Sequence, residues 1–86
     1  AFTLHQNYPN PFNPSTSISF DMAQTADVTL AVYDVLGRNV ATLVNGQMAS
    51  GRHTVTFDAS SLTSGVYMYR ISNGSSTMTR TMLLMK

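Results

Sequence analysis

The stretch Val66-Tyr67-Met68-Tyr69-Arg70-Ile71-Ser72-Asn73-Gly74-Ser75-Ser76-Thr77-Met78-Thr79-Arg80-Thr81-Met82-Leu83-Leu84 decides the fold. Residues alternate in polarity on both sides of Asn73-Gly74, the strongest two-residue turn signal for a type I′ hairpin. With that pair at the tip, Tyr69 is expected opposite Met78, Tyr67 opposite Arg80 and Gly65 opposite Met82. Tyr67, Tyr69, Ile71, Met78 and Met82 then share one face, and Val66, Met68, Arg70, Thr77, Thr79 and Thr81 share a wetter one. The register of Tyr67 and Tyr69 with Ile71 points to core packing rather than to stacking on sugars. Asn73-Gly74-Ser75 also spells a glycosylation acceptor, but the turn accounts for the same three letters.

Upstream, the same period of two recurs. Ile18, Phe20 and Met22 alternate with Ser17, Ser19 and Asp21, and Val28, Leu30 and Val32 alternate with Thr29, Ala31 and Tyr33. Asp34-Val35-Leu36-Gly37-Arg38 follows as a three-residue hairpin loop, with Gly37 in the left-handed conformation of a bulge. This places Asp34 opposite Arg38, Val32 opposite Val40 and Val28 opposite Val44. His53, Val55 and Phe57 alternate with Thr54 and Thr56 in a further strand, and Asp58 to Gly65 is a turn-rich crossing anchored by Leu62.

The first residues differ. Three prolines and three asparagines fall between Gln6 and Pro14, and each X-Pro step is extended or turned, so no helix forms there. Phe2, Leu4, Tyr8 and Phe12 make it unlike a flexible linker. It reads as an ordered strap, residues 1–16, that plugs Tyr8 and Phe12 into the edge of a domain covering 17–86. With Phe2 to Gln6 as a short edge strand, about seven strands are joined by tight turns. The fold class is all-β: a small immunoglobulin-like antiparallel β-sandwich.

The far end breaks the alternation. Met82-Leu83-Leu84-Met85 is apolar on both phases before Lys86. Either neighbouring loops cover this segment or it is a handle for a partner. Four of the six methionines, Met68, Met78, Met82 and Met85, lie in this last part of the chain, which suits an adaptable contact surface.

Composition narrows the function classes. Eighty-six residues hold only one small core, and the chain has no cysteine to staple it. Charged residues are 10% of the chain, against about 25% in an average globular protein, and Ser and Thr are 21 of 86. Glu is absent and Lys occurs only at position 86, which removes good helix formers and favours strands. The basic residues Arg38, Arg52, Arg70, Arg80 and Lys86 are spread singly, so no phosphate-tracking stripe exists and nucleic-acid binding is not expected. No apolar run is long enough for a membrane-spanning helix, and with no basic-then-apolar stretch before Ala1 the chain is not expected to carry its own export leader. Beginning at Ala1 without Met, the chain is expected to be a piece of something longer.

Catalytic chemistry finds little footing. Asp21, Asp27, Asp34 and Asp58 lie at strand ends or turns, where Asp caps backbone, and Asp34 also faces Arg38. His5 and His53 have no carboxylate pattern beside them to suggest a metal or a relay, and one loop carboxylate, Asp58, is thin support for Ca²⁺. No nucleophile elbow, phosphate loop or dinucleotide fingerprint occurs. No catalytic residue, metal ligand or cofactor is expected.

Leu4-x-Gln6-Asn7-Tyr8-Pro9-Asn10-Pro11-Phe12-Asn13-Pro14-Ser15-Thr16 resembles the opening signature of type A C-terminal sorting domains of the type IX (Por) secretion system. The resemblance continues through Val32-Tyr33-Asp34-Val35-Leu36-Gly37-Arg38, the Gly51-x-His53 approach to Phe57-Asp58, Ser64 to Arg70, and Met82-Leu83-Leu84-Met85-Lys86. It implies a non-catalytic domain at the C-terminus of secreted proteins of the Bacteroidetes. Such a domain directs an N-terminally attached cargo from the periplasm across the outer membrane, to release or to the cell surface of a Gram-negative bacterium. The implied partners are the outer-membrane translocon and, for many members, a sortase-like peptidase. The Gly-x-Tyr hairpin and the terminal basic residue are associated with recognition in the family, here Gly65, Tyr67 and Lys86.

Arg80, Met82, Leu83, Leu84 and Met85 complete the expected recognition surface, with strand addition to the terminal strand as its mode. Tyr8, Pro9, Asn10, Pro11, Phe12, Asn13, Pro14, Asp34, Gly37 and Arg38 are expected to be structural. Two positions depart from the family pattern: Phe57 stands where many relatives have Trp, and Thr81 where a basic residue often follows the preceding one. The alternative reading is a carbohydrate- or cell-wall-binding sandwich of a secreted glycanase, using Tyr8 or Tyr33 as an exposed aromatic platform.

Overall fold

The computed structural model describes residues 2–86; Ala1, the first residue of the strap as drawn from the sequence, lies outside the described residues. Seven strands form: β1 (Phe2–Leu4), β2 (Ser15–Met22), β3 (Ala26–Tyr33), β4 (Asn39–Met48), β5 (Gly51–Asp58), β6 (Gly65–Ser72) and β7 (Thr77–Leu84). They pair antiparallel in two sheets, ordered β1-β2-β5 and β4-β3-β6-β7, so the chain is an all-β sandwich as expected.

Period-two alternation builds the core directly. Ile18, Phe20 and Met22 of β2 meet Val28, Leu30 and Val32 of β3, Tyr67, Tyr69 and Ile71 of β6, and Met82 and Leu84 of β7, all buried. Phe12 from the strap packs against Phe57, with ring centroids 6.2 Å apart and planes tilted by 57°. On the outward side of the first sheet, Ser19 Oγ and Thr54 Oγ1 share a 2.9 Å hydrogen bond. Asp21 accepts from Arg52 Nε at 2.8 Å and from His5 Nε2 at 2.7 Å.

Two registers differ from the sequence-based expectation. In the β6–β7 hairpin Tyr69 faces Arg80, Tyr67 faces Met82 and Gly65 faces Leu84. The tip is Gly74-Ser75: Asn73 N donates to Ser76 O at 3.1 Å, and Gly74 takes a φ of 94°. Asn73 uses its carboxamide Oδ1 instead to accept from the backbone N–H groups of Ser75 and Ser76. Moving the tip by one residue shifts the pairing by two, which leaves every side chain on its expected face.

In the β3–β4 pair, Asp34 N donates to Arg38 O as expected. Beyond the loop, however, Val32 faces Ala41, Leu30 faces Val44 and Val28 faces Gly46, because the pairing steps between Leu30 and Ala31 and again between Val32 and Tyr33. Each step puts one extra residue into β4, the irregularity that edge strands commonly carry.

The strap is the least regular and most tightly bonded segment. It begins as β1 beside β2, continues along β2 through reciprocal Tyr8–Ser17 backbone bonds of 3.0 and 2.9 Å, then crosses to the other sheet. There Phe12 N donates to Leu83 O and Met85 N donates to Phe12 O, while Leu83 N donates to Asn10 Oδ1. Buried Asn7 donates from Nδ2 to Thr16 Oγ1 and Pro9 O, and Thr16 Oγ1 donates to Pro9 O. The Tyr69 hydroxyl sits beneath the bend, accepting from Asn7 N and donating to His5 O, both at 2.7 Å. Burial raises the Tyr69 pKa, which keeps the phenol protonated and able to donate. Phe12 is buried as expected, but Tyr8 is not plugged in; it is 81% exposed. Its backbone bonds to β2 turn the ring outward, and Asn7 takes the inward place.

Replacing Tyr69 with Phe leaves the Asn7 N–H and the His5 carbonyl without their partner, a cost of about 1–3 kcal/mol. Urea or thermal unfolding should show a larger loss for Tyr69→Phe than for Tyr67→Phe, whose hydroxyl makes one bond, to Thr63 O. An equal or smaller loss at Tyr69 contradicts the clamp.

Hydrogen bonds from Arg52 first, and His5 second, pull the Asp21 carboxyl down to about 2 from its ordinary 3.8. A lowered carboxyl pKa adds stability that is present above the ordinary value and lost as pH falls through the lowered one. NMR titration should place the Asp21 midpoint near 2 and move it up towards 3.8 in Arg52→Gln.

Candidate functional site

One pole of the sandwich collects the loop between β3 and β4, the crossing between β5 and β6, and the end of β7. The loop is closed from within. Asp34 Oδ1 accepts from the N–H groups of Leu36 and Arg38, its Oδ2 accepts from Arg38 Nε at 2.8 Å, and Gly37 N donates to Asp34 O. Gly37 has a φ of 82°, which suits the residue without a side chain. Because Asp34 satisfies the turn's backbone, the tip residues need no polar side chain. Val35 and Leu36 project outward, 67% and 73% exposed. The backbone bond from Arg38 is the main cause holding the Asp34 carboxyl below its usual range.

The crossing is built in the same way. Asp58 accepts from the N–H and hydroxyl of Ser60, Leu62 N donates to Ala59 O, and buried Ala59 with half-buried Leu62 ties the crossing to the core. Tyr67 OH donates to Thr63 O at 2.7 Å, so the buried ring sets the height of the loop above it. Lys86 closes the pole: its N donates to Ser64 Oγ at 3.0 Å and its Nζ to Ser60 O at 2.6 Å.

Between loop and crossing runs an open groove of about 390 Å³, with Val35, Leu36, Val40, Leu62, Gly65 and Val66 among its walls. Val66 and Met85 are themselves 44% and 55% exposed, so four of the five large exposed apolar side chains among the described residues lie at this pole. Isolated exposed apolar residues are ordinary; gathered at one place they mark a contact surface.

The residues expected to be read by a partner divide into two sets. Gly65, Met85 and Lys86 are at the pole surface, and half-buried Leu83 lies beside Val66 across the β6–β7 pair. Tyr67, Met82 and Leu84 are buried in the core. Arg80 reaches across to β1, its Nε donating to Leu4 O at 2.7 Å. The border of β7 that strand addition would use is already bonded to the strap from Thr81 O, which accepts from Gln6 Nε2, to Met85 N. Val35 and Leu36 were not among the expected contact residues. Their signal was present all the same: two adjacent apolar residues inside a turn, where turns are usually polar.

Other chemistry is sparse. No group of three or more His, Cys, Asp or Glu comes together among the described residues. No helix there is long and apolar enough to cross a membrane.

No curated protein matches the sequence. Among solved structures, the fold is similar to part of PorZ, described as an essential bacterial surface component of the type IX secretion system of Porphyromonas gingivalis. The TM-score is 0.67 at 19% identity, over 96% of this chain and 11% of that one. The likeness is one of fold, and the chain spans only about a tenth of that protein. Residues 6–85 match the secretion system C-terminal sorting domains, from the Gln6-Asn7-Tyr8 of the strap to Met85 just after β7, and the chain belongs to that family.

Proposed function

We propose that this chain is a single non-catalytic domain that carries an N-terminally attached cargo through the type IX system to the cell surface or the medium, and that the apolar pole is what the secretion machinery reads. The family's sorting role supports the first part. The second rests on one observation: Val35, Leu36 and Val66 stand exposed along one groove, at the same pole where exposed Met85 and Lys86 follow β7.

In this reading the partner contacts are Gly65, Leu83, Met85 and Lys86, joined by Val35, Leu36 and Val66. Tyr67, Met82 and Leu84 act from below, holding the crossing and the end of β7 at the height where the groove stays open. Arg80 acts as a latch between β7 and β1. Recognition is by side chains entering the groove, because the strap occupies the β7 border. The glycan-platform alternative loses support. The Arg70 guanidinium lies 4.5 Å from the centre of the Tyr33 ring and covers one face, and Tyr8 sits alone on the strap.

Surface delivery of a reporter fused in front of this chain, in a type IX-competent bacterium, tests the assignment. Val35→Asp with Leu36→Asp alters exposed tip residues at a stability change within about 0.5 kcal/mol each. The fusion should accumulate inside the cell while the domain keeps its circular dichroism and melting temperature. Undiminished delivery of that folded double variant refutes the groove as the recognition surface.

A further inference from the structure

The four sheet borders are treated unequally. The β7 border is bonded to the strap, and the β1 border takes Arg80 onto Leu4 O. The β4 border is interrupted by two register steps. The β5 border has none of these devices. It is an eight-residue strand without proline, lysine or register step, and its outer edge has no partner among the described residues. Such an edge is a ready template for another strand, and natural proteins usually blunt it.

Which groups that edge offers follows from β2. The backbones of Ser17 and Ser19 bond towards the strap, through Tyr8 and His5. The alternate residues, Ile18 and Phe20, therefore bond towards β5, opposite Val55 and His53. By the same alternation Arg52, Thr54, Thr56 and Asp58 turn their N–H and C=O groups to the open edge. A second copy approaching antiparallel must pair these residues with one another. Centred on Val55, the two-fold places Arg52 opposite Asp58 and Thr54 opposite Thr56, each twice. A shift of two residues in either direction leaves both charges opposite threonine or beyond the strand.

We propose that two copies of this chain associate through β5, antiparallel about Val55, to form one continuous sheet of six strands. The outward face then reads as matched rows across the seam. Ser19 and Thr54, already bonded within one copy, continue into Thr56 and Ser17 of the other. Asp21 and Arg52 continue into the second copy's Asp58. Asp58 gives Oδ1 to Ser60 and its Oδ2 makes no hydrogen bond among the described residues, while Arg52 uses Nε and one terminal nitrogen on Asp21 and keeps its other terminal nitrogen for the seam. No residue of β5 lines the pole groove, although Asp58 at the end of β5 lies within the field of Lys86.

Sedimentation velocity on the 86-residue chain over a wide concentration range should show a monomer–dimer equilibrium that weakens with salt. Asp58→Arg and Arg52→Asp each turn two attractive pairs into repulsive ones and should raise the dimer Kd by on the order of tenfold. An equimolar mixture of the two variants restores both pairs and should form a heterodimer tighter than either alone. Thr56→Pro removes an N–H directed at the edge, where proline is tolerated, and should give a folded monomer. A wild-type chain that stays monomeric overturns the proposal, as does a mixture no tighter than its components. A folded Thr56→Pro protein that still dimerises does the same. Should the proline variant fail to fold, the charge-reversed mixture decides alone.

Discussion

The strap's bonds to the end of β7 are the constraint on which the rest of the molecule depends. A last strand whose end is apolar on both faces, with one open border, is an invitation to aggregate. Here the border is closed by the chain's own beginning, through Asn10 and Phe12 onto Leu83 and Met85. Closing it brings a bend into contact with the core, and buried backbone groups at a bend must find partners. Tyr69, Asn7 and Thr16 provide them, and among the described residues no buried side-chain nitrogen or oxygen is left unpaired. The prolines contribute by omission: three positions of the strap have no N–H to satisfy.

This closure makes the sandwich asymmetric. One flank is sealed by the strap and by Arg80, while the opposite flank presents the borders of β4 and β5. The seal also sets the pole. With Leu84 held between Gly65 and Phe12, Met85 and Lys86 emerge beside the β5–β6 crossing, and Lys86 fastens to Ser60 and Ser64. The same bonds that remove β7 as a docking edge place its last side chains where Val35, Leu36 and Val66 already face solvent. The border of β7 that strand addition would need is therefore taken by the strap, which is why the proposed contact is the groove.

The strands, their faces and most of the core were legible in the sequence, because alternation survives any error of two residues in register. That is why the β6–β7 faces are as expected although the tip is Gly74-Ser75. Inside the β3–β4 pair the two extra residues of β4 leave no mark in composition: Val40, Ala41, Leu43 and Val44 read equally well with or without a step. The strap was legible as ordered but not in its orientation. Asn7 and Tyr8 are adjacent, and which of them turns in is set by partners elsewhere in the sequence: Ser17 for the Tyr8 backbone, Thr16 for the Asn7 side chain and, sixty-two positions away, the Tyr69 hydroxyl for the Asn7 N–H. The candidate site was half legible. Met85 and Lys86 follow from chain order, whereas the groove needs Val35 and Leu36 brought beside Leu62 and Val66 by tertiary packing.

The residues that identify the family and those available to a partner are largely different residues, and the physics of a small sandwich explains the separation. With so little core, the chain cannot leave its strap loose, so the Gln6-to-Thr16 signature is taken up by bonds to β2, β6 and β7. Asp34, Gly37 and Arg38 are likewise consumed in closing their own turn. In the proposed reading a partner meets what these residues support and not the residues themselves. Val35 and Leu36 are free to be apolar only because Asp34 has satisfied the turn's backbone, and Met85 is free only because Phe12 has taken up the border beside it. On this view a substitution in the signature would impair sorting by letting the pole come apart, whereas one at the tip would impair it with the fold intact. The two can be separated by whether the melting temperature falls along with delivery.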